Sequence, residues 1–214
     1  MIRTILALGV AALTTACATA MPPPPPPVLE YTRQDCAAQP DLSSAVSLTP
    51  EKETNGFIVS AALGLESPCI RMANWTAPYA VFALPTDIED KTIAVGGVLE
   101  LTRILSPEVR VLDDRGQLTR EFVTTDYFYR GPVYSVQFRP RPGDAYIVVS
   151  SDPARVGQRY DSINVGTNTT TVYTGYGAAN FTTGVEAQNS RAFSYEGVAQ
   201  VIVYDSDTKE RPAP

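Results

Sequence analysis

The 214-residue chain contains no histidine, which removes Ser–His and Cys–His nucleophile pairs, imidazole general bases and most zinc sites in one step. A Ser–Lys arrangement would draw on Lys52, Lys91 or Lys209, and all three stand in polar stretches at strand edges or tails, where burial that would depress an amine pKa is not expected. No glycine-rich phosphate loop occurs. Gly96-Gly97 lies inside an alternating stretch and reads as a bulge or a close backbone contact. Two carboxylates across a cleft would suffice for glycan hydrolysis. The acids, however, favour turns: Asp113 and Asp114 sit in a hairpin sequence, Glu89 and Asp90 in a polar connection, and Asp205 and Asp207 near the end. Solvated turn roles are expected for them, with catalysis or calcium ligation as the alternative. The expectation is a protein that is not an enzyme, with no catalytic residues, cofactor or metal.

Aromatic residues are the stronger candidates. Asn74-Trp75-Thr76 holds the only Trp, and Asp126-Tyr127-Phe128-Tyr129 presents three rings in succession. Neighbouring strand residues point to opposite faces, so Tyr127 and Tyr129 share one side and Phe128 takes the other, toward the core. Trp75, Tyr127 and Tyr129, with Asp126 as a hydrogen-bonding neighbour, form the candidate platform for a sugar ring or a partner. The alternative is that these rings cover the edge of the fold.

The three cysteines read differently from one another. Arg3 followed by the apolar run Ile5 to Leu13 is too short for a membrane span of roughly 20 residues and fits a secretory leader. Leu13-Thr14-Thr15-Ala16-Cys17 looks like a lipoprotein box. Residues 1–16 would then be removed, and Cys17 would carry a palmitate-type lipid anchor. Cleavage after Ala18-Thr19-Ala20, giving a soluble secreted protein, is the alternative. Ala18 is compatible with outer-membrane sorting, so the expected location is the bacterial periplasm, anchored through Cys17. The remaining pair, Cys36 and Cys69, suits one disulfide in an oxidising compartment, or else two buried thiols.

Pro22 to Pro27 should form an extended spacer, with a proline-rich recognition ligand as the sharper alternative. Residues 17–54 read as a tether and polar arm, 55–205 as the folded domain, and 206–214 as a flexible tail. A formal charge of −6, made more negative by loss of Arg3, argues against nucleic acid, since no Lys/Arg cluster exists to release phosphate counterions.

The elements that must position these groups are strands. Hydrophobic content of 44% suffices for a packed core. Phe57, Val59, Ala61 and Leu63 alternate, as do Ile93, Val95, Gly97, Leu99 and Leu101, and Tyr134, Val136 and Phe138. Tyr79 to Leu84 and Ala145 to Val149 are continuous apolar runs, as in central strands covered on both faces. Turn sequences at Asp113 to Gly116, Arg130 to Pro132 and Pro140 to Asp144 separate them. The pattern predicts an all-β antiparallel sandwich or jelly roll, one short helix at Asp152 to Arg159, and a hairpin or mobile loop at 164–184.

Several of these stretches together resemble the maltose-operon periplasmic protein family. They are Tyr79 to Pro85, Ser106 to Asp114, Thr125 to Tyr129, Tyr146 to Ser151 and Gly197 to Val203. The resemblance spans roughly Gly56 to Tyr204. It implies a β-rich periplasmic protein associated with carbohydrate uptake, and it carries over no catalytic residue set. The chain lacks a C-terminal extension seen in some members and has its own Thr/Tyr/Gly-rich stretch at 164–184. The functional expectation is a non-catalytic envelope lipoprotein linked to maltose- or maltodextrin-type transport, whose partners are a membrane, through lipid, and a glycan or envelope transport protein. The alternative is a structural docking module with no sugar site.

Overall fold

A computed structural model describes residues 22–52, 54–174 and 177–205. The strands are β1 (Val46–Ser47), β2 (Gly56–Leu63), β3 (Cys69–Arg71), β4 (Thr76–Ala83), β5 (Lys91–Val98), β6 (Arg103–Leu105) and β7 (Pro107–Leu112). They continue as β8 (Leu118–Glu121), β9 (Phe128–Arg130), β10 (Val133–Phe138), β11 (Tyr146–Ser151), β12 (Arg159–Thr174), β13 (Gly177–Ser194) and β14 (Gly197–Asp205). One sheet runs β1-β4-β11-β7-β8, with β3 also on β4, and a second runs β2-β14-β5-β10-β9. β12, β13 and β6 form a third, smaller sheet. Pairings in the two main sheets are antiparallel except β1 with β4. The fold is the expected all-β sandwich.

Side-chain period decides which face each strand buries. In β2, Phe57, Val59 and Ala61 are half-buried while Ile58, Ser60 and Ala62 are exposed. The continuous apolar runs behave differently, because β4 and β11 are covered twice. Phe82, Ile147 and Val149 face the second sheet, where they meet Ile93, Val95, Val136 and Val201. Tyr79, Val81 and Val148 pack on the other face against Ile70 and Leu112, with Leu42, Ala45 and Met72 at the margin.

Gly96 and Gly97 answer to the close-contact reading. A Cβ at Gly96 would lie 1.9 Å from the Tyr134 carbonyl oxygen, and one at Gly97 would lie 2.3 Å from that of Leu105. Turn chemistry also appears where expected: the Asp113 carboxylate accepts from the Arg115 and Gln117 amides, and Gly116 takes φ 79°.

Four expectations are corrected. The folded unit does not begin at residue 55. Leu48 is fully buried in the main core, β1 joins the first sheet, and the Asp41 amide donates to the Tyr79 hydroxyl at 2.9 Å. Nor does the whole proline run stand free: Thr102 donates to the Pro25 carbonyl, and the Val28 amide donates to Ser194 Oγ at 2.9 Å. Residues 152–158 form turns rather than a helix. The Asp152 carboxylate accepts from the Ala154 amide, and Gly157 at φ 85° redirects the chain into β12. Asp-Pro serves a turn as readily as a helix start. Finally, Lys91 is covered rather than exposed, and it pairs with Asp205, the last residue of β14, at 2.7 Å. That bond raises the Lys91 pKa, the opposite of what an amine nucleophile needs.

Residues 164–174 and 177–184 belong to a long antiparallel pair, with β12 registered on β13 from Arg159↔Ala192 to Thr174↔Gly177. The expected leader at 1–16, Cys17, Asp207, Lys209 and the expected tail at 206–214 lie outside the described residues. Among the described residues, no helix is long and apolar enough to cross a membrane.

Candidate functional site

The residues chosen from sequence fall into two separate places. Tyr127 and Tyr129 do share a side, on which Tyr127 is buried while Tyr129, on the sheet's outer strand, stays 39% exposed. Tyr127 is buried and stacks on Tyr134, with centroids 5.4 Å apart, and its hydroxyl accepts from the Val109 amide at 2.9 Å. Tyr129 meets Tyr134 at 4.8 Å and stacks on Tyr160 of the hairpin root at 3.9 Å. Phe128, expected in the core, is instead 58% exposed, with the Arg130 guanidinium over its ring. Alternation correctly grouped Tyr127 with Tyr129 but could not say which group faces in. That choice belongs to Tyr134 on the neighbouring strand and to the Val109 amide that needs an acceptor.

Arg155 closes this column from the side, 4.5 Å from the Tyr134 ring and 4.3 Å from Phe193, and donates to the Tyr134 hydroxyl. Burial pushes the Tyr127 and Tyr134 phenols up and raises Tyr129 to about 12. These rings form a strut that runs from the buried Tyr127 and Tyr134 out to the exposed Tyr129. The Asp126 carboxylate accepts from the Val123 amide at 3.0 Å and so caps the short turn Thr124–Asp126.

Trp75 stands elsewhere, in the tight connection from β3 to β4, where the Met72 amide donates to its carbonyl at 2.8 Å. It lines an open cleft of about 520 Å³ together with Tyr31, Gln34, Arg71, Asn74 and Tyr195. Three segments distant in sequence build this cleft: the N-terminal arm, the β3–β4 turn and the turn between β13 and β14. The arm is held by the Cys36–Cys69 disulfide, by Arg71 donating to the Gln34 carbonyl, and by Thr76 donating to the Arg33 carbonyl at 2.9 Å. The Tyr195 amide donates to the Val28 carbonyl at 2.9 Å, and the Tyr195 ring lies 6.0 Å from Tyr31. Burial raises the Tyr31 and Tyr195 phenols, and the Tyr31 hydroxyl itself is buried.

The cleft therefore combines three aromatic rings with an amide from Gln34, another from Asn74 and the Arg71 cation. Among the described residues, none of its lining side chains is a carboxylate. Tyr31, Gln34, Arg71 and Tyr195 escaped the sequence reading. The disulfide was the available clue, since bonding Cys36 to Cys69 necessarily brings Gln34 and Arg71, each two residues away, to one place.

Charged groups occur on the outer face of the first sheet. Glu108 and Glu121 both pair with Arg110, and Ser150 donates to Glu108. Desolvation raises the Glu108 pKa against the pull of Arg110. Asp35, Cys36 and Cys69 place ligand-type atoms within 4.8 Å of one another. Two of those atoms are disulfide sulfurs rather than thiolates, and Asp35 is paired with Arg33 at 3.0 Å, so the group is not a metal centre.

Comparison with protein-family models, with curated proteins and with solved structures finds no match to this chain.

Proposed function

We propose that the chain is a non-catalytic lipoprotein of the bacterial envelope, associated with carbohydrate transport of the maltose or maltodextrin type, and that it holds a glycan in the Trp75 cleft. One observation carries the reading: Tyr31, Trp75 and Tyr195 share an open cleft with the planar polar groups of Gln34, Asn74 and Arg71. Ring faces stack on the C–H face of a sugar, while amides and a guanidinium exchange hydrogen bonds with its hydroxyls. A volume of about 520 Å³ falls in the range of small-ligand sites. The family resemblance supports the transport setting, and Leu13 to Cys17 supports the anchor.

Titration of the purified protein with maltodextrins, followed by Trp75 fluorescence and calorimetry, tests the reading. A saturable spectral change abolished by Trp75→Ala is expected. Absence of both signal and heat across several glycans would favour a docking module instead. For the anchor, Cys17→Ala should move the protein from membrane to soluble fractions and change its mature mass.

A further inference from the structure

Among the described residues, contacts that fasten the β12–β13 hairpin to the rest of the molecule lie at its root. There Tyr160 stacks on Tyr129, Arg191 donates to the Glu100 carbonyl, and Ala192–Ser194 pair with β6. Beyond that root, among the described residues, each strand pairs with the other and with no third strand. At about 3.4 Å per residue, the sixteen residues of β12 extend roughly 50 Å. The ribbon therefore presents two long edges that carry no third strand among the described residues, one belonging to β12 and one to β13.

Exposed edges normally carry charges, prolines or bulges that prevent pairing with another chain. Charges in this ribbon stop at Asp161 on one strand and at Glu186 on the other. Ile163–Thr174 and Gly177–Val185 contain neither a charged residue nor a proline, and the register is unbroken over the whole ladder. A two-stranded ribbon alone is at best marginal in water, which makes a long regular one with unguarded edges a structure awaiting neighbours.

We infer that the hairpin is an assembly arm, through which copies of this chain pair β12 of one with β13 of the next. The two edges identify the occupant. Ribbons pointing the same way would alternate β12, β13, β12 and β13, so every new contact is antiparallel, as within the ribbon itself. One contact repeated between identical copies satisfies both edges, whereas a foreign strand satisfies one and leaves the other open. Such a head-to-tail contact closes into a ring when its rotation permits.

Sedimentation velocity of the full chain over a range of concentrations tests this against a variant in which Asn164–Ala187 is replaced by Asn-Gly. That replacement closes a short turn on the Ile163↔Gln188 pair and keeps the root contacts. The intact chain should sediment as an oligomer, and the shortened chain as a monomer with an unchanged melting temperature. Thr170→Lys, at an exposed ribbon position, should also lose the oligomer without loss of fold. Hydrogen exchange supplies the specific signature: edge amides of β12 should gain protection in the oligomer. A monomeric intact chain, or an oligomer that survives shortening, overturns the inference. So does a monomer whose intact hairpin makes phosphatidylcholine vesicles leak, because the ribbon would then be a bilayer-inserting element.

Discussion

Gln34 and Arg71 flank the bonded cysteines Cys36 and Cys69, and the Arg71 guanidinium donates to the Gln34 carbonyl across the seam. The disulfide thus fastens one wall of the Trp75 cleft to another. Closing a loop of 33 residues also removes denatured-state entropy worth roughly 3 to 4 kcal/mol. Cys36→Ser with Cys69→Ser is therefore expected to lower unfolding free energy by about that amount in urea titration. If the cleft binds glycan, the same variant should weaken binding more than it changes the core, as seen by calorimetry below the unfolding transition. Equal glycan affinity with and without the bond would detach the arm from the site.

The tyrosine column makes a prediction about alkali. Tyr129 is raised to about 12, and the Tyr127 and Tyr134 phenols are also raised, in each case mainly by desolvation. A folded-state pKa above the unfolded value means that the fold favours the protonated form. The associated stability is complete below the ordinary tyrosine pKa of about 10 and is lost as pH climbs through the folded values. Tyrosinate absorbance should therefore rise in two stages, the later one coinciding with loss of β-sheet circular dichroism. A single stage, complete before any loss of structure, would contradict the burial of these phenols.

Gly97 offers a sharper test of the backbone packing. A methyl group there would sit 2.3 Å from the Leu105 carbonyl oxygen, and the obstructing atom is backbone, which cannot swing aside. Gly97→Ala should cost more than about 4 kcal/mol, in the range of severe core defects, and yield insoluble protein. Gly131→Ala makes a useful contrast: nothing lies within 4 Å of its Cβ, and only its φ of 57° opposes the change. That variant should fold, with a modest fall in melting temperature.

Much of the sandwich was legible because burial on one or both faces leaves a pattern. Phe57, Val59 and Ala61 declare a half-buried strand, and the unbroken run from Tyr79 to Leu84 declares a strand packed on both faces. Asp113 to Gly116 declares a turn through side-chain bonds that lie within the turn itself. The arm was not legible, because Leu48 is one apolar residue in a polar stretch and its burial depends on pairing with β4. Nor was the candidate site: Tyr31, Trp75 and Tyr195 come from three distant segments, and no local pattern brings them together.

Ser194 tests whether the arm is part of the fold or merely laid upon it. The residue is fully buried at the end of β13, and its hydroxyl accepts from the Val28 amide at 2.9 Å and from the Glu196 amide at 3.1 Å. Ser194→Ala leaves both donors without that acceptor. An unsatisfied buried amide costs about 1 to 3 kcal/mol, and because both bonds are part-buried, unfolding free energy should fall by about the lower end of that range. The loss should be local in its first expression, because Val28 precedes the disulfide and Cys36 still holds the rest of the arm. Limited proteolysis should therefore cut the variant before Cys36 at protease levels that leave the wild type intact, with the sandwich preserved. Deleting Pro22 to Pro24, upstream of the Pro25 contact with Thr102, should leave both stability and cleavage unchanged. If that deletion destabilised the domain as much as Ser194→Ala, the outer half of the proline run would be structural rather than a spacer.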